Sequence, residues 1–375
     1  MPNLLEELKD ILEKNGLMGK IPLNESYEKA VKIPEVLKIL DLELPPITDL
    51  SEILGLKPIS VMAIRMDLNK GVDNHKKFVV AGLILRGVLM GFIPNNKRDT
   101  LIDGGNFNSA SALKFYAKRL GMKGMYVMSY LFPDHIINLL EGEDFTVIKV
   151  PHQQKYDKMR EREFYEFLYN KMREPEFRKN KFCLWHAKHG GEVEYPFGKE
   201  LAKNMPTSIN CSVSCLGAGS TLEGIQIPIQ DFFKENKLLL LKIFLAEHEL
   251  SPIFVKIMEK MEISRDVIPS ITNKDKECYI DTPELPHLVI GPHYDEINPL
   301  LSKKSIERIE GVIQYSEADW QSTQEHIANH GITVGNSSAA NISVAWRLAS
   351  QGFKVITIVF EPKRSFLLKQ KAQAL

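Results

Sequence analysis

Four short stretches carry side chains whose types and spacing could do chemistry. The first is Cys215-Leu216-Gly217-Ala218-Gly219-Ser220-Thr221-Leu222-Glu223-Gly224, set between a β-like run from Ser208 and a helical pattern. Glycines at such a junction leave backbone N–H groups uncovered, and Ser220 and Thr221 add hydroxyl donors. A helix N-terminus also carries partial positive charge, so the loop could cradle a phosphate. A tight strand-to-helix turn has the same glycines, and the loop alone leaves both readings open. The second stretch is Asn74-His75-Lys76-Lys77-Phe78, which opens an apolar helical run from Val79 to Met90. Cations favour the other end of a helix, so a lysine here is either a solvated surface residue or one kept for chemistry. The third, Gly104-Gly105-Asn106-Phe107-Asn108-Ser109, leaves a short strand, Thr100 to Asp103. The fourth is Gly335-Asn336-Ser337-Ser338-Ala339-Ala340, which enters a helix ending at Ser350.

The elements around these turns alternate. Leu4, Leu5, Leu8, Ile11 and Leu12 share one helix face, Val31 to Leu40 is a second helical candidate, and Pro45-Pro46 closes this N-terminal segment. Strand Val61 to Met66 precedes the Val79 helix. A helix from Ala110 to Leu120, a strand from Gly124 to Met128, a helix from Pro133 to Leu140 and a strand from Phe145 to Val150 follow Asp103. Strand, helix and strand with short links predict an α/β fold with parallel pairing. Asp157 to Lys181 reads as a charged, solvated helix. Further strands are expected at Phe182 to Trp185, Leu238 to Leu245, Ile309 to Gln314 and Lys354 to Phe360. Ser316, with Asp319 three residues on, predicts the N-cap of a helix running to His330. Leu288-Val289-Ile290 leads into Gly291-Pro292-His293-Tyr294-Asp295-Glu296, a polar cluster at a strand end, where open α/β sheets face their ligands.

Composition narrows the function classes. The 375 residues suffice for two core-bearing lobes. Lys plus Arg and Asp plus Glu are both 48, so no net charge favours nucleic acid or an anionic membrane. No apolar run approaches the roughly 20 residues that span a bilayer. Met1-Pro2-Asn3-Leu4-Leu5-Glu6-Glu7 has no basic n-region, and the four cysteines show no Cys-x-x-Cys spacing. The expectation is a cytoplasmic protein with free thiols. His186 and His189 sit at i,i+3 without a Cys or carboxylate partner at metal-site spacing, so no metal is expected.

Together the four turns resemble those of the fold-type II pyridoxal-phosphate enzymes, within them the cysteine synthase and cystathionine β-synthase group. The resemblance covers roughly residues 48 to 367. Asn74-His75-Lys76 matches the family's lysine just inside a helix. Gly104 to Asn108 matches its asparagine loop, 30 positions on from Lys76 to Asn106. Gly217 to Thr221 matches its phosphate loop, and Gly335 to Ala340 its late serine segment. The fold implied is tryptophan synthase β-like: two α/β lobes, each with a mostly parallel sheet flanked by helices, and the cofactor between them. The larger lobe would combine residues 46–79 with 186–375, the smaller would span 80–185, and 1–45 would be a helical extension. Homodimers are common among such relatives.

The resemblance also implies roles. Lys76 would bind the aldehyde of pyridoxal 5'-phosphate and later carry the substrate's Cα proton. Asn106 would bond the ring hydroxyl, Gly217, Ala218, Gly219, Ser220 and Thr221 would hold the phosphate, and Ser337 would face the pyridine nitrogen. A serine does not force that nitrogen to stay protonated. The chemistry implied is β-elimination or β-replacement on a small amino acid, through an external aldimine and an aminoacrylate. The departures fall around the substrate: Asp103, Gly104, Gly105 and Phe107 stand where relatives have hydroxyl residues, and His293, Tyr294 and Asp295 replace small ones. Asp103 would repel a substrate carboxylate, Gly104 and Gly105 could still offer N–H groups, and Phe107 would narrow the pocket. Lys77 competes with Lys76 for the aldehyde. A non-catalytic cofactor-binding homologue and a serine or threonine dehydratase-like deaminase are the alternatives.

Overall fold

Strands buried on both faces must pair in parallel and be covered by helices, and the strands that deliver the candidate turns are of this kind. The computed structural model describes residues 4–19, 23–93, 99–130, 132–150, 161–251, 254 and 301–364. Its strands are β1 (Ile47–Asp49), β2 (Val61–Arg65), β3 (Thr100–Gly104), β4 (Lys123–Met128) and β5 (Phe145–Lys149), then β6 (Lys181–Cys183), β7 (Cys211–Cys215), β8 (Lys242–His248), β9 (Ile309–Tyr315) and β10 (Val355–Val359). Every residue of β2, β3, β7 and β10 is buried.

The chain divides into two compact units. One comprises Met1–Glu43 and Lys70–Pro196, the other Leu44–Asn69 and Phe197–Arg364. The first holds a four-stranded parallel sheet in the order β5-β4-β3-β6. The second holds six strands in the order β1-β2-β10-β7-β8-β9, all parallel except β1 against β2. Each sheet reverses its winding once. From β3 the chain steps outward through β4 and β5, then returns to the other side of β3 as β6; from β7 it steps through β8 and β9, then returns as β10. Ligand crevices in open parallel sheets form at such reversals, beyond the carboxyl ends of the strands. The turn through Gly105 and Asn106 leaves β3 and the turn through Gly217 to Thr221 leaves β7.

Local chemistry explains the helices that matter. Lys76–Leu89 buries all its residues except Arg86, and each large apolar side chain it buries contributes about 1.5–3 kcal/mol. Gly82 in its middle admits the Tyr27 hydroxyl and Val193; a Cβ there would lie 2.5 Å from the former. Cys211-Ser212-Val213-Ser214-Cys215 is a weakly apolar strand, yet its two serines are buried. Gln226 makes this possible: Ser214 donates to its Oε1 at 3.0 Å, and its Nε2 donates to Ser212 Oγ and to the Phe244 carbonyl, each at 3.3 Å.

Two expectations shift, and one helix appears where none was expected or excluded. Val31 to Leu40 is not one helix: Leu23–Ala30 ends before it and Pro34–Ile39 starts anew, with Pro34 where a proline's missing N–H costs least. The strand expected from Leu238 begins at Lys242, because pairing with Cys211 sets its start and leaves Leu239 and Leu240 exposed. His186–Lys203 is helical despite Gly190, Gly191 and an internal Pro196. Gly198 in that helix lies against the Gly224 carbonyl, 2.4 Å from where a Cβ would stand, so tertiary packing overrides weak propensity. Among the described residues no helix is long and apolar enough to cross a membrane.

Helix Glu317–Ala328 starts as its sequence predicts, with Ser316 Oγ accepting from Asp319 N at 3.2 Å and Asp319 Oδ2 accepting from Ser316 N at 2.8 Å. Ser316→Ala should cost about 1 kcal/mol. Urea unfolding would show this as a lowered midpoint with an unchanged slope; an unmoved midpoint would refute it.

Candidate active site

The first constellation lies in the unit built on β3. Gly105 follows the strand with φ +148°, a conformation open to glycine, and any Cβ would press on Tyr126 Oη at 2.8 Å and His186 Cε1 at 3.1 Å. Asn106 then occupies the N-cap of helix Phe107–Arg119, with Phe107 buried as its first residue. Asp103 does not face outward. Its Oδ1 accepts from Gly104 N at 2.9 Å, and its Oδ2 accepts from His186 N at 3.2 Å and lies 3.1 Å from His186 Nδ1. The carboxylate expected to repel a substrate is therefore held by donors of its own fold. The two N–H groups expected to hold a substrate carboxylate are also taken, Gly104 N by Asp103 and Gly105 N by the Val127 carbonyl at 2.9 Å. His186 Nε2 continues the chain to Tyr165 Oη at 3.3 Å. His186 is thus a support for Asp103. Among the described residues no group of three or more His, Cys, Asp or Glu could hold a metal ion.

Neither lysine of the second stretch is solvated; Lys76 is 5% exposed and Lys77 1%. They stand at successive positions, about 100° apart around the helix, and do different things. Lys77 Nζ donates to Asp41 Oδ2 at 3.0 Å and to the Lys70 carbonyl at 2.6 Å. Burial lowers its pKa and Asp41 works against that shift. Lys77 is a buried tie to the N-terminal segment. Asn74 Oδ1 accepts from Lys76 N at 2.9 Å, and Asn74 Nδ2 donates to Ser111 Oγ at 3.2 Å. One side chain thereby caps the turn entering Lys76 and ties it to the helix that Asn106 caps. Glu194 adds a group that sequence reading missed. It is buried, its Oε2 has no hydrogen-bond partner among the described residues, and burial pushes its pKa up to about 8 against the opposing pull of Lys76.

The second constellation lies in the other unit, where β7 and β10 end. Gly217, Ala218 and Gly219 make the bend after β7, and Ser220 and Thr221 open the helical segment. Gly219 has φ +93°, and a Cβ on it would meet Leu301 at 2.9 Å. A π-type turn over Leu222–Gln226 widens the helix before Ile227–Glu235, a local irregularity common at functional sites. Asn341 holds the two strand ends: its Oδ1 accepts from Cys215 N at 2.6 Å and its Nδ2 donates to the Ile358 carbonyl at 2.8 Å. Ser337 and Ser338 lie in the first turn of helix Asn336–Ser350. Ser337 Oγ donates to Glu361 Oε1 at 2.6 Å, and Ser338 Oγ accepts from Phe360 N at 2.9 Å. Cys215, beneath them, has its pKa pushed up to about 12, first by burial and further by the charges of Glu361 and Glu247. It is an inert packing thiol; Cys183 and Cys211 are likewise free and buried.

A family model described as pyridoxal-phosphate dependent enzyme matches residues 43–355. The chain belongs to this enzyme family. Its cofactor is pyridoxal phosphate. Among solved structures it is similar to the O-acetylserine dependent cystathionine beta-synthase from Helicobacter pylori, with 18% identity and a TM-score of 0.64 over 88% of this chain and 96% of that one. It is similar also to a hydrogen sulfide-producing enzyme from Fusobacterium nucleatum, with 14% identity and a TM-score of 0.64 over 88% and 97% of the two chains. An O-ureido-L-serine synthase gives 14% identity and a TM-score of 0.60 over 89% and 95%. At such identities the likeness is one of fold. No curated protein matches the sequence.

The residues present fit the cofactor. A buried lysine suits its aldehyde, and a glycine bend with hydroxyls at a helix start suits its phosphate. His293, Tyr294 and Asp295, expected near the substrate, lie outside the described residues, as do Leu288 to Ile290. Glu194 and Glu361 escaped sequence reading for different reasons. Glu194 sits in a stretch whose glycines hide a helix. Glu361 carried a signal, a carboxylate directly after an apolar strand and beside the crevice end of a parallel sheet.

Glu194 makes stability depend on pH. Its folded pKa is raised above the usual 4.5, so the folded protein keeps a proton that the unfolded chain releases. The loss of stability begins above pH 4.5, grows as pH rises and levels off above about 8, reaching on the order of a few kcal/mol. Glu194→Gln should flatten this decline. Melting temperatures of both proteins between pH 5 and 9 test it, and parallel profiles would overturn it.

Proposed function

We propose that this enzyme catalyses β-elimination or β-replacement on a small amino acid carrying a leaving group at Cβ, in the manner of a cysteine synthase. The observation that carries the reading is the setting of Lys76. It is buried at the start of its helix, beside a carboxyl group with a raised pKa, and its turn is tied through Asn74 and Ser111 to the helix capped by Asn106. A lysine withdrawn from water and placed at the wrong end of a helix for a cation is suited to act as an amine.

Bound pyridoxal phosphate supplies an electron sink for the pair left at Cα when a proton departs. The chain's residues do the rest. Lys76 would hold the cofactor through its aldehyde, and its Nζ would take the substrate's Cα proton. Glu194 lies buried beside that lysine, its carboxyl pKa pushed up to about 8 by burial. Asn106 would orient the ring through its hydroxyl, and Gly217, Ala218, Gly219, Ser220 and Thr221 would hold the phosphate with N–H and O–H donors. All of these roles are assigned from their place at the strand ends. Ser337 meets the ring nitrogen. With Gly104 and Gly105 already engaged, we assign the substrate carboxylate to the N-terminal turn of helix Phe107–Arg119, where helix polarity favours an anion. Phe107, at that turn, limits the size of the side chain accepted. The Asp103 contacts weaken the non-catalytic alternative, since that carboxylate is balanced within the fold.

Purified protein should show a visible absorbance band from the lysine-linked cofactor. Lys76→Ala should abolish the band, whereas Lys77→Ala should keep it while lowering the melting temperature. A band that survives Lys76→Ala would overturn the assignment. Serine derivatives with activated oxygen, given with and without a thiol, separate the chemistries: a new thioether or cysteine marks replacement, and a 2-oxo acid without added nucleophile marks elimination. We also propose a cytoplasmic homodimer, and light scattering should return twice the chain mass of 42.7 kDa.

A further inference from the structure

Ser337 does not have a free choice of hydrogen-bond direction. Its hydroxyl proton points to Glu361 Oε1 at 2.6 Å, a separation typical of an O–H donating to an ionised carboxylate. Glu361 is itself fixed. Gly335 N donates to its carbonyl at 2.9 Å, and its backbone N lies 3.3 Å from Ser338 Oγ. Its side chain fills the space that a Cβ on Gly335 would need, 2.3 Å from Oε1. Ser338 Oγ stands 3.5 Å from the same oxygen. Both serines are buried and Glu361 is only 8% exposed, so water does not compete for the short bond. Burying a carboxylate here is costly unless it is bonded, and a hydroxyl that donates to it is held in one orientation.

We propose that Glu361 is a positioning residue that sets the protonation state of the cofactor ring. It commits the Ser337 proton inward, so that Ser337 Oγ presents only lone pairs to the ring. This rests on the reading that Ser337 meets the ring nitrogen. A hydroxyl that can only accept needs a donor opposite it, and the donor is a protonated ring nitrogen. The proton comes from solvent as the cofactor binds, and the buried carboxylate one hydroxyl away balances the resulting positive charge. A serine alone leaves the nitrogen free to be neutral; a serine backed by a carboxylate does not. The consequence is a stronger electron sink than a lone serine would support, which steadies negative charge at Cα.

The test uses the full-length protein reconstituted with pyridoxal phosphate labelled with 15N in the ring, read by 15N NMR at pH 7.5. The wild type should show a protonated ring nitrogen. Glu361→Gln should lose that signal and show a neutral one with cofactor still bound, because the new amide can donate to Ser337 Oγ and turn the hydroxyl proton toward the ring. Should Glu361→Gln fail to fold by circular dichroism, Gly335→Ala serves instead. It keeps the carboxylate but displaces it from Ser337, and the same loss is expected. A neutral nitrogen in the wild type, or a protonated one that survives in the variant, overturns the proposal while leaving the site assignment standing. A nitrogen signal unchanged by Ser337→Ala, or no cofactor bound through Lys76, overturns the assignment of Ser337 and the proposal with it.

Discussion

The join between β7 and β10 is where the larger unit becomes a site. The two strands share a parallel ladder only from Val355 opposite Cys211 to Thr357 opposite Val213. Beyond that point Asn341 supplies the bonds that the ladder no longer makes, accepting from Cys215 N and donating to the Ile358 carbonyl. A fully buried amide costs several kcal/mol if left unbonded, so this side chain has one tolerable position. Because it sits in helix Asn336–Ser350, fixing it also fixes the turn that holds Ser337 and Ser338. The turn after β7, the serine pair and Glu361 therefore share one anchor.

The smaller unit reaches the same end by another route. Its sheet reverses at β3 and β6, and there the binding partner of the strand end is His186, the first residue of a helix. Asp103 accepts from the backbone and faces the ring of that one residue, so the end of β3 and the start of helix His186–Lys203 are held together. Asn74 does comparable work between the Lys76 turn and Ser111. In both units a short polar side chain, buried and doubly bonded, replaces strand pairing where the sheet opens.

This arrangement changes the meaning of the departures from the family pattern. Asp103 stands where a hydroxyl residue is expected, yet its charge is directed into the fold. Glu361 introduces a carboxylate that a serine-type site does not require, and Ser337 already uses it. The unusual acids of this chain bond to neighbouring groups of the fold, Asp103 to Gly104 N and to His186, and Glu361 to Ser337.

Periodicity and turn chemistry were enough to read the α/β class, most of the strands, the Ser316 cap and the order of the four turns, because each rests on residues within a few positions of one another. Residue types at those turns were enough to suggest a phosphate, a lysine and an asparagine. Tertiary structure alone decided that Lys77 is tied to Asp41, that Asp103 is held by His186, that Ser337 donates to Glu361, and that Glu194 is buried beside Lys76. The partners Asp41, His186 and Glu361 lie 36, 83 and 24 positions away from Lys77, Asp103 and Ser337 respectively. No local pattern encodes such pairs; burial enforces them, since a polar group taken out of water must find whichever partner the fold brings to it.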